Sequence, residues 1–411
     1  MPDDQFIAAD APVLPYGRQL VEEDDIAAVA EVLRGDFLTT GPTVTRFEAA
    51  LAARLDAAHA VACANGTAAL HLAALACDIG CGDAVVVPTL TFLATANAVR
   101  ATGAEVVFAD VDPSTGLMRP TDLDAAIGRA GDRRIRAVFP VHLNGQTCAM
   151  DQIAALAGAR NLAVVEDACH ALGGDRHDGA GGTTPVGACR HCDATVFSFH
   201  PVKTIAAGEG GALTTNDPAL AERAARLRNH GMVRDGAFAH ADLARSADGG
   251  TNPWYYEMPT PGFNYRASDI HCALALSQLG KLDRFVARRR ALADRYDALL
   301  APLAPLVRPI DRIAACTPAW HLYPVLIDFA AAAVDRATLM RRLRRRGIGT
   351  QVHYVPVHLQ PYYRQRYGDL SLPGAWAYYQ SCLSLPMFAA MADADAERVA
   401  AELAHCLGAE R

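Results

Sequence analysis

The chain has 411 residues, 51% of them hydrophobic and 20% charged, which excludes a disordered or low-complexity polypeptide. Its net charge of −7, from 45 acidic against 38 basic residues, excludes a protein built to grip a phosphate backbone, so no nucleic-acid partner is expected. No apolar stretch is long enough to span a bilayer, and the opening segment MPDDQFIAADAPVLPYG has neither a basic n-region nor an apolar h-region. A cytoplasmic protein with no membrane association is the expectation.

From about Ala60 to Thr215 short apolar runs alternate with helical stretches. The runs are Val61–Cys63, Ala84–Val87, Glu105–Phe108, Ala137–Val141, Leu162–Val165, Thr195–Phe199 and Gly211–Thr214. Val-rich runs bounded by turn residues predict strands buried on both faces, with crossover helices between them. The fold class is therefore α/β, with one seven-stranded, mostly parallel sheet. Beyond it, Val233 to Pro261 is a polar, Gly-rich excursion. Residues Ser268 to Leu300 predict one long amphipathic helix, with Ile270, Leu274, Leu279, Leu282, Phe285 and Leu292 near helical spacing. Trp320 to Asp328 predicts a strand, Ala337 to Arg346 a helix closed by Gly347, and a final helix begins near Asp393. Two domains are expected: a large one over residues 1–275, including an N-terminal arm, and a smaller α+β domain over 276–411.

Only two lysines occur, Lys203 and Lys281, so 36 of the 38 basic residues are arginine. A lysine that persists in such a chain suits a task closed to Arg, such as forming a Schiff base. Lys281, between Leu279 and Leu282, reads as a solvated helix residue. Among the 11 cysteines, Cys189 and Cys192 form a C-x-x-C. A zinc site needs two more ligands, and only His191 and His200 are near, so reduced thiols and no metal are expected.

Four segments follow strands of the large domain, where open α/β sheets bind ligands. Asn65-Gly66-Thr67 opens a helix and offers an anion a Gly backbone, a hydroxyl and free N–H groups, though it also reads as an ordinary N-cap turn. Glu166-Asp167 places two carboxylates at the end of a Val-rich strand, which is costly unless one has a cationic partner. Such a carboxylate keeps a heterocyclic nitrogen protonated, binds a metal or caps the next helix. Ser198-Phe199-His200-Pro201-Val202-Lys203 sets one of the two lysines at a strand end. Phe92, in Pro88-Thr89-Leu90-Thr91-Phe92, suits stacking on a flat ring or plain core packing.

Together an anion cradle, a stacking aromatic, a buried acid and a lone lysine match the needs of pyridoxal phosphate. The chain resembles the fold-type-I pyridoxal-phosphate enzymes of the DegT-type sugar aminotransferase family over nearly its whole length. The resemblance rests on Thr39-Thr40-Gly41-Pro42, Asn65 to Leu70, Glu166 to His170, Ser198 to Lys203 and Asn264-Tyr265-Arg266, in the family's order and spacing. It implies that Lys203 carries the cofactor as a Schiff base and that Asp167 pairs with the pyridinium nitrogen. It further implies that Gly66, Thr67 and Ser198, with Asn65 beside them, hold the phosphate. Phe92 would stack on the ring, and His170 would lie near the ring hydroxyl. Asn264 and Arg266 match a segment that reaches into the neighbouring subunit's site, which implies a homodimer with shared active sites. Asn65 stands where Ser is usual, and Thr204, Ala206 and Ala207 stand where hydroxyl residues are common. Those departures bear on phosphate and substrate contacts.

Within that family the chain is most similar to the transaminases of pseudaminic acid synthesis. The similarity lies in Leu14 to Gln19, Pro253 to Met258 and Gln351 to Tyr363. It implies a UDP-linked keto-sugar and L-glutamate as substrates, with Tyr16, Trp254, Tyr255, Tyr256, His353, Tyr354 and His358 toward the sugar nucleotide. His353 and His358 also read as satisfied core or surface histidines. Three rivals remain: an aminotransferase for another nucleotide keto-sugar, a sugar dehydratase, and a non-catalytic cofactor-binding regulator. A dehydratase of this scaffold replaces the lysine by histidine, so Lys203 argues against it.

Overall fold

The computed structural model describes residues 13–177, 181–235 and 238–409. Most of the opening segment, residues 1–12, lies outside the described residues. In chain order the strands are β1 (His59–Cys63), β2 (Asp83–Pro88), β3 (Glu105–Ala109), β4 (Arg134–Val138) and β5 (Ala163–Asp167). Then come β6 (Asp175–His177), β7 (Thr183–Pro185), β8 (Ala194–Ser198) and β9 (Gly211–Thr215). The C-terminal part adds β10 (Val307–Pro309), β11 (Cys316–Thr317), β12 (Tyr323–Ile327) and β13 (Cys382–Leu385).

The seven runs of the large domain form one seven-stranded sheet in the order β1-β9-β8-β5-β4-β2-β3. All neighbours are parallel except β9, which runs antiparallel to both β1 and β8. Strand β2 is buried at every position, as a strand covered on both faces must be. β4 is shorter than the apolar run that contains it. Pro140 has no N–H to give the ladder, so the regular strand stops at Val138, while Phe139 N–H still donates to the Val86 carbonyl, Asp167 N–H to the Pro140 carbonyl, and a Val141–Asp167 bridge follows. Strands β10-β12-β13 make a small antiparallel sheet, and β11-β6-β7 make another.

The first helices are α1 (Glu23–Arg34), α2 (Pro42–Arg54), α3 (Gly66–Ala76) and α4 (Leu93–Ala101). The expected single helix from Ser268 to Leu300 is instead two, Asp269–Leu279 and Leu282–Leu300. Ser268 caps the first through its side chain, and Asp269 accepts the Gly41 and Thr43 N–H groups at the start of α2. The break falls at Gly280-Lys281. Lys281 is not solvated, contrary to expectation. Its ammonium lies 2.5 Å from Asp24, 2.8 Å from Asp25 and 3.1 Å from Glu22, which raises its pKa against the lowering effect of burial. The predicted strand at Trp320 begins later, at Tyr323. The predicted helix is Arg336–Arg345, capped by Asp335, and Gly347 follows in the left-handed region at φ +75. The last helix starts at Asp393 as expected. Among the described residues, no helix is long and apolar enough to cross a membrane.

Candidate active site

A cleft of about 670 Å³ opens at the carboxyl ends of β5 and β8, lined from below by Asn65, Gly66, Asp167, Ser198 and Lys203. Its floor is an anion cradle. Asn65 is extended and caps α3, its Oδ1 accepting the Ala68 N–H at 2.9 Å. That leaves the Gly66 and Thr67 N–H groups, in the first turn, without partners inside the helix. They face the cleft beside the hydroxyls of Thr67 and Ser198, with the positive end of the helix dipole behind them. Gly66 is required here because a Cβ would come within 2.8 Å of Ser198 Cβ. Gly211 of β9 is tighter still: a Cβ there would meet the Asn65 carbonyl oxygen at 2.3 Å and the Gly66 nitrogen at 2.7 Å.

Gly211→Ala is therefore expected to push the cradle off the sheet, at a cost of about 1–3 kcal/mol of stability. Cofactor affinity should fall about tenfold or more, as read by absorbance titration. A variant that binds cofactor as tightly as the parent would show that the cradle adapts.

Successive side chains of a strand point to opposite faces, and this separates the two carboxylates. Glu166 turns into the protein, where Arg176 lies 2.9 Å from it and His142 3.2 Å. Burial pushes the Glu166 carboxyl up, but the Arg176 guanidinium and the His142 hydrogen bond outweigh it and hold the group well below the carboxylate range. The cationic partner demanded by the sequence thus belongs to Glu166. Asp167 faces the cleft, with Oδ2 accepting from Thr95 Oγ1 at 2.7 Å and Oδ1 from the Cys169 N–H at 3.2 Å. Both anchors fix the carboxylate without neutralising it.

Lys203 follows β8 in a turn closed by its own N–H to the His200 carbonyl at 2.8 Å. Its ammonium has no hydrogen-bond or ion-pair partner among the described residues. Burial lowers its pKa, and the nearby Asp167 only partly opposes this. An amine of this kind is available for chemistry.

Above the cradle, Phe92 sits at the start of α4, 56% exposed, with its ring 6.0 Å from that of Tyr354. His170 accepts the Asn144 N–H on Nδ1 and meets Tyr354 Oη at 3.3 Å through Nε2, an arrangement that suits a neutral imidazole. Burial, helped by Lys203 and His353, pushes its pKa well below the ordinary value. His353 is bonded to Ser384 through Nδ1 at 2.8 Å, and burial and Lys203 push it down to about 3. Tyr16 lies 5.5 Å from the His353 ring and completes this wall.

Several expected contacts are not brought to the cleft. Trp254 is 72% exposed, Tyr256 is exposed, and Tyr255 bonds to Glu257 on the same outer excursion. Asn264 is exposed, and Arg266 donates to Asn229 Oδ1 at 2.8 Å on the flank of β1. His358 is buried away from the cleft, its Nδ1 2.7 Å from Thr89 Oγ1 while its N–H also donates to that hydroxyl. Thr95 and His321 are additions that sequence reasoning passed over. Thr95 lies four residues after Thr91, one helical turn away, and the pair bond at 2.8 Å. His321, whose ring centroid is 4.3 Å from that of His170, is signalled only by a lone polar residue in an apolar run.

A family model, described as the DegT/DnrJ/EryC1/StrS aminotransferase family, matches residues 19–404. The chain belongs to that family. It is 40% identical over 389 residues to the spore coat polysaccharide biosynthesis protein SpsC of Bacillus subtilis (strain 168), covering 94% of this chain and 95% of SpsC. Its fold matches Helicobacter pylori PseC, an aminotransferase involved in the biosynthesis of pseudoaminic acid, with a TM-score of 0.85 and 27% identity. That match covers 97% of this chain and all of PseC (100%). Spr1654 of Streptococcus pneumoniae, solved in a PLP form, matches with a TM-score of 0.83 and 25% identity over 96% of this chain and 99% of that one. The chain is thus a sugar aminotransferase that uses pyridoxal phosphate, and the cleft fits that group. The cradle suits a phosphate, the anchored Asp167 a ring nitrogen, and the unpartnered Lys203 a carbonyl carbon.

Proposed function

We propose that this aminotransferase moves the amino group of L-glutamate to C4 of UDP-2-acetamido-2,6-dideoxy-4-keto-L-hexose. The product is UDP-4-amino-4,6-dideoxy-N-acetyl-β-L-altrosamine, on the route to pseudaminic acid. The observation that carries this reading is the likeness to PseC over the whole chain, coupled to the wall of the cleft. Tyr16, Gln351, His353, Tyr354 and Gln360 line it, offering ring faces and hydrogen-bonding groups to a hexose. In this reading Lys203 and Asp167 are the catalytic pair, residues 1–275 form the cofactor domain and 276–411 the smaller one. The enzyme is a cytoplasmic homodimer in which Asn264 and Arg266, facing away from their own cleft, serve the partner's. Trp254, Tyr255 and Tyr256, on the outer excursion, belong to the same assembly. His358 acts indirectly, by tying the segment after Tyr354 to the end of β2.

Bound pyridoxal phosphate supplies an electron sink for the negative charge that develops at the amino acid's Cα. The rest is the chain's own work. Gly66, Thr67 and Ser198 fix the phosphate and so the register of everything above it. Asp167 holds the proton on the ring nitrogen. Opposite charges about 3 Å apart attract by about 5 kcal/mol at an effective dielectric of about 20. Lys203, free as a neutral amine, would take the proton from Cα and return it to the carbon on the other side of the transferring nitrogen, as base and then acid. Arg cannot do this, because its guanidinium stays protonated. The buried neutral histidines and Tyr354 keep water from that path.

The 40% identity to SpsC favours a second reading, transfer to another nucleotide-linked keto-sugar. Incubation with L-glutamate and a panel of UDP-L-, UDP-D- and dTDP-linked keto-sugars, with NMR of the product, separates the two. Turnover of the L-configured acetamido sugar at least about tenfold above the others is expected. Absence of turnover on it alongside activity on another sugar overturns the assignment.

A further inference from the structure

The helix Leu282–Leu300 carries a charge that neither the cradle nor the proposed chemistry uses. Arg289 is 1% exposed, and no carboxylate among the described residues forms an ion pair with it. Two other fully buried charges have ionic partners, Glu166 with Arg176 and Asp25 with Lys281, and buried Asp269 is held by the Gly41 and Thr43 N–H groups. Arg289 has only carbonyls, its Nη1 donating to His321 O at 3.0 Å, Met387 O at 3.2 Å and Trp320 O at 3.4 Å, while its Nε has no partner. An unpaired buried cation is costly to fold around, so its retention calls for a reason. Burial lowers its pKa to about 10, so it stays charged at neutral pH.

Its location supplies that reason. Arg289 lines one small space together with Lys203, Thr204 and Gln278. We propose that Arg289 is a positioning residue for amino transfer: its acid-free buried charge keeps Lys203 neutral whenever that amine is free, while its carbonyl contacts hold the His321 segment at the cleft. Every group facing Lys203 bears on this: Arg18 lines the same space but is exposed, where water screens it, and Tyr16 and Tyr354 stay neutral because burial raises both. Asp167 attracts a proton to the lysine. The Cys169 thiol does not, because burial pushes its pKa well above the ordinary value. His170, His321 and His353 are pushed down by burial and add no charge at neutral pH. His200 and Glu209 lie on the exposed side of the cleft, where water screens them. The contest therefore lies between Asp167, which favours an inert Lys203–Asp167 ion pair, and Arg289, which opposes it.

The inference rests on Lys203 being the reactive amine, but its test reads Lys203 in cofactor-free protein, so the two fail separately. Reductive methylation with formaldehyde and cyanoborohydride across pH, read by mass spectrometry, gives the midpoint for Lys203. Lys281, the other lysine, is the internal control. Arg289→Gln and Arg289→Met should raise the Lys203 midpoint by about one pH unit or more, slowing labelling about tenfold at neutral pH. Arg289→Lys is read together with the midpoint of its own new amine, from the same labelling: where position 289 is charged the Lys203 midpoint should stay within about 0.3 unit, where it is neutral the midpoint should rise as in the Gln and Met variants, and Lys281 should not move in any variant. An unmoved midpoint in the folded uncharged variants overturns the proposal. So does an equal upward shift in Arg289→Lys while position 289 is charged, which would assign the effect to the carbonyl contacts alone. If the Gln and Met variants fail to fold, Arg289→Lys still decides: a Lys203 midpoint that follows the charge at position 289 supports the proposal, and one that moves regardless of that charge, or stays put when it is lost, removes it.

Discussion

Lys203→Ala is expected to lose turnover by at least about four powers of ten, together with the visible absorbance of the lysine-bound cofactor. The fold should survive, because the side chain makes no hydrogen bond or ion pair among the described residues and the turn is closed by backbone, from Lys203 N–H to the His200 carbonyl. Cofactor should still bind through the cradle of Gly66, Thr67 and Ser198, detectable by equilibrium dialysis. The loss is large because both proton-transfer steps use one amine, and Lys281, tied to three carboxylates, cannot substitute. A variant within about tenfold of the parent rate would refute the assignment of Lys203.

Asp167→Asn should lower the single-turnover rate with L-glutamate by about two to three powers of ten, an effect of about 3–4 kcal/mol on the barrier. The replacement has the same shape, and its amide oxygen can accept either the Thr95 hydroxyl or the Cys169 N–H that now hold the carboxylate. Little structural loss is expected, so the deficit reads the missing charge. Substrate concentration should not restore it, because the barrier and not binding is altered. An unchanged rate would place the ring-nitrogen contact elsewhere.

Most of the seven-stranded sheet was legible because its signals are local. Val-rich runs such as Ala84–Val87 are buried on both faces and announce strands whatever their order. The segments around Asn65, Asp167 and Lys203 were readable because each follows such a run, and sheet geometry gathers strand ends. What was not legible depends on partners distant in sequence. The ion pairing of Lys281 makes sense only once α1 presents Glu22, Asp24 and Asp25 to the lysine. The anchoring of Asp167 by Thr95 spans 72 positions, and the histidine wall joins residues 170, 321 and 353. His358 looked like a ligand and is a tie, because nothing in the sequence reveals that Thr89 stands opposite it. An aromatic cluster such as Trp254 to Tyr256 signals an unusual surface without giving its address.

The order of strands also has a consequence for synthesis on the ribosome. Strands β2 to β5 find their partners among one another within residues 83–167. β1 does not: its sole partner in the sheet is β9, at Gly211–Thr215. The first strand to be made therefore waits for roughly 150 further residues, which at about 5–20 residues per second is on the order of ten seconds or more. During that interval a short apolar strand stays unpaired, and the backbone of Asn65 and Gly66 lacks the Gly211 strand it packs against. Nascent chains ending before Gly211 have the parallel half of the sheet but no finished cradle. Capture of the cofactor is in this way a late event of biogenesis, timed by the strand that closes the sheet.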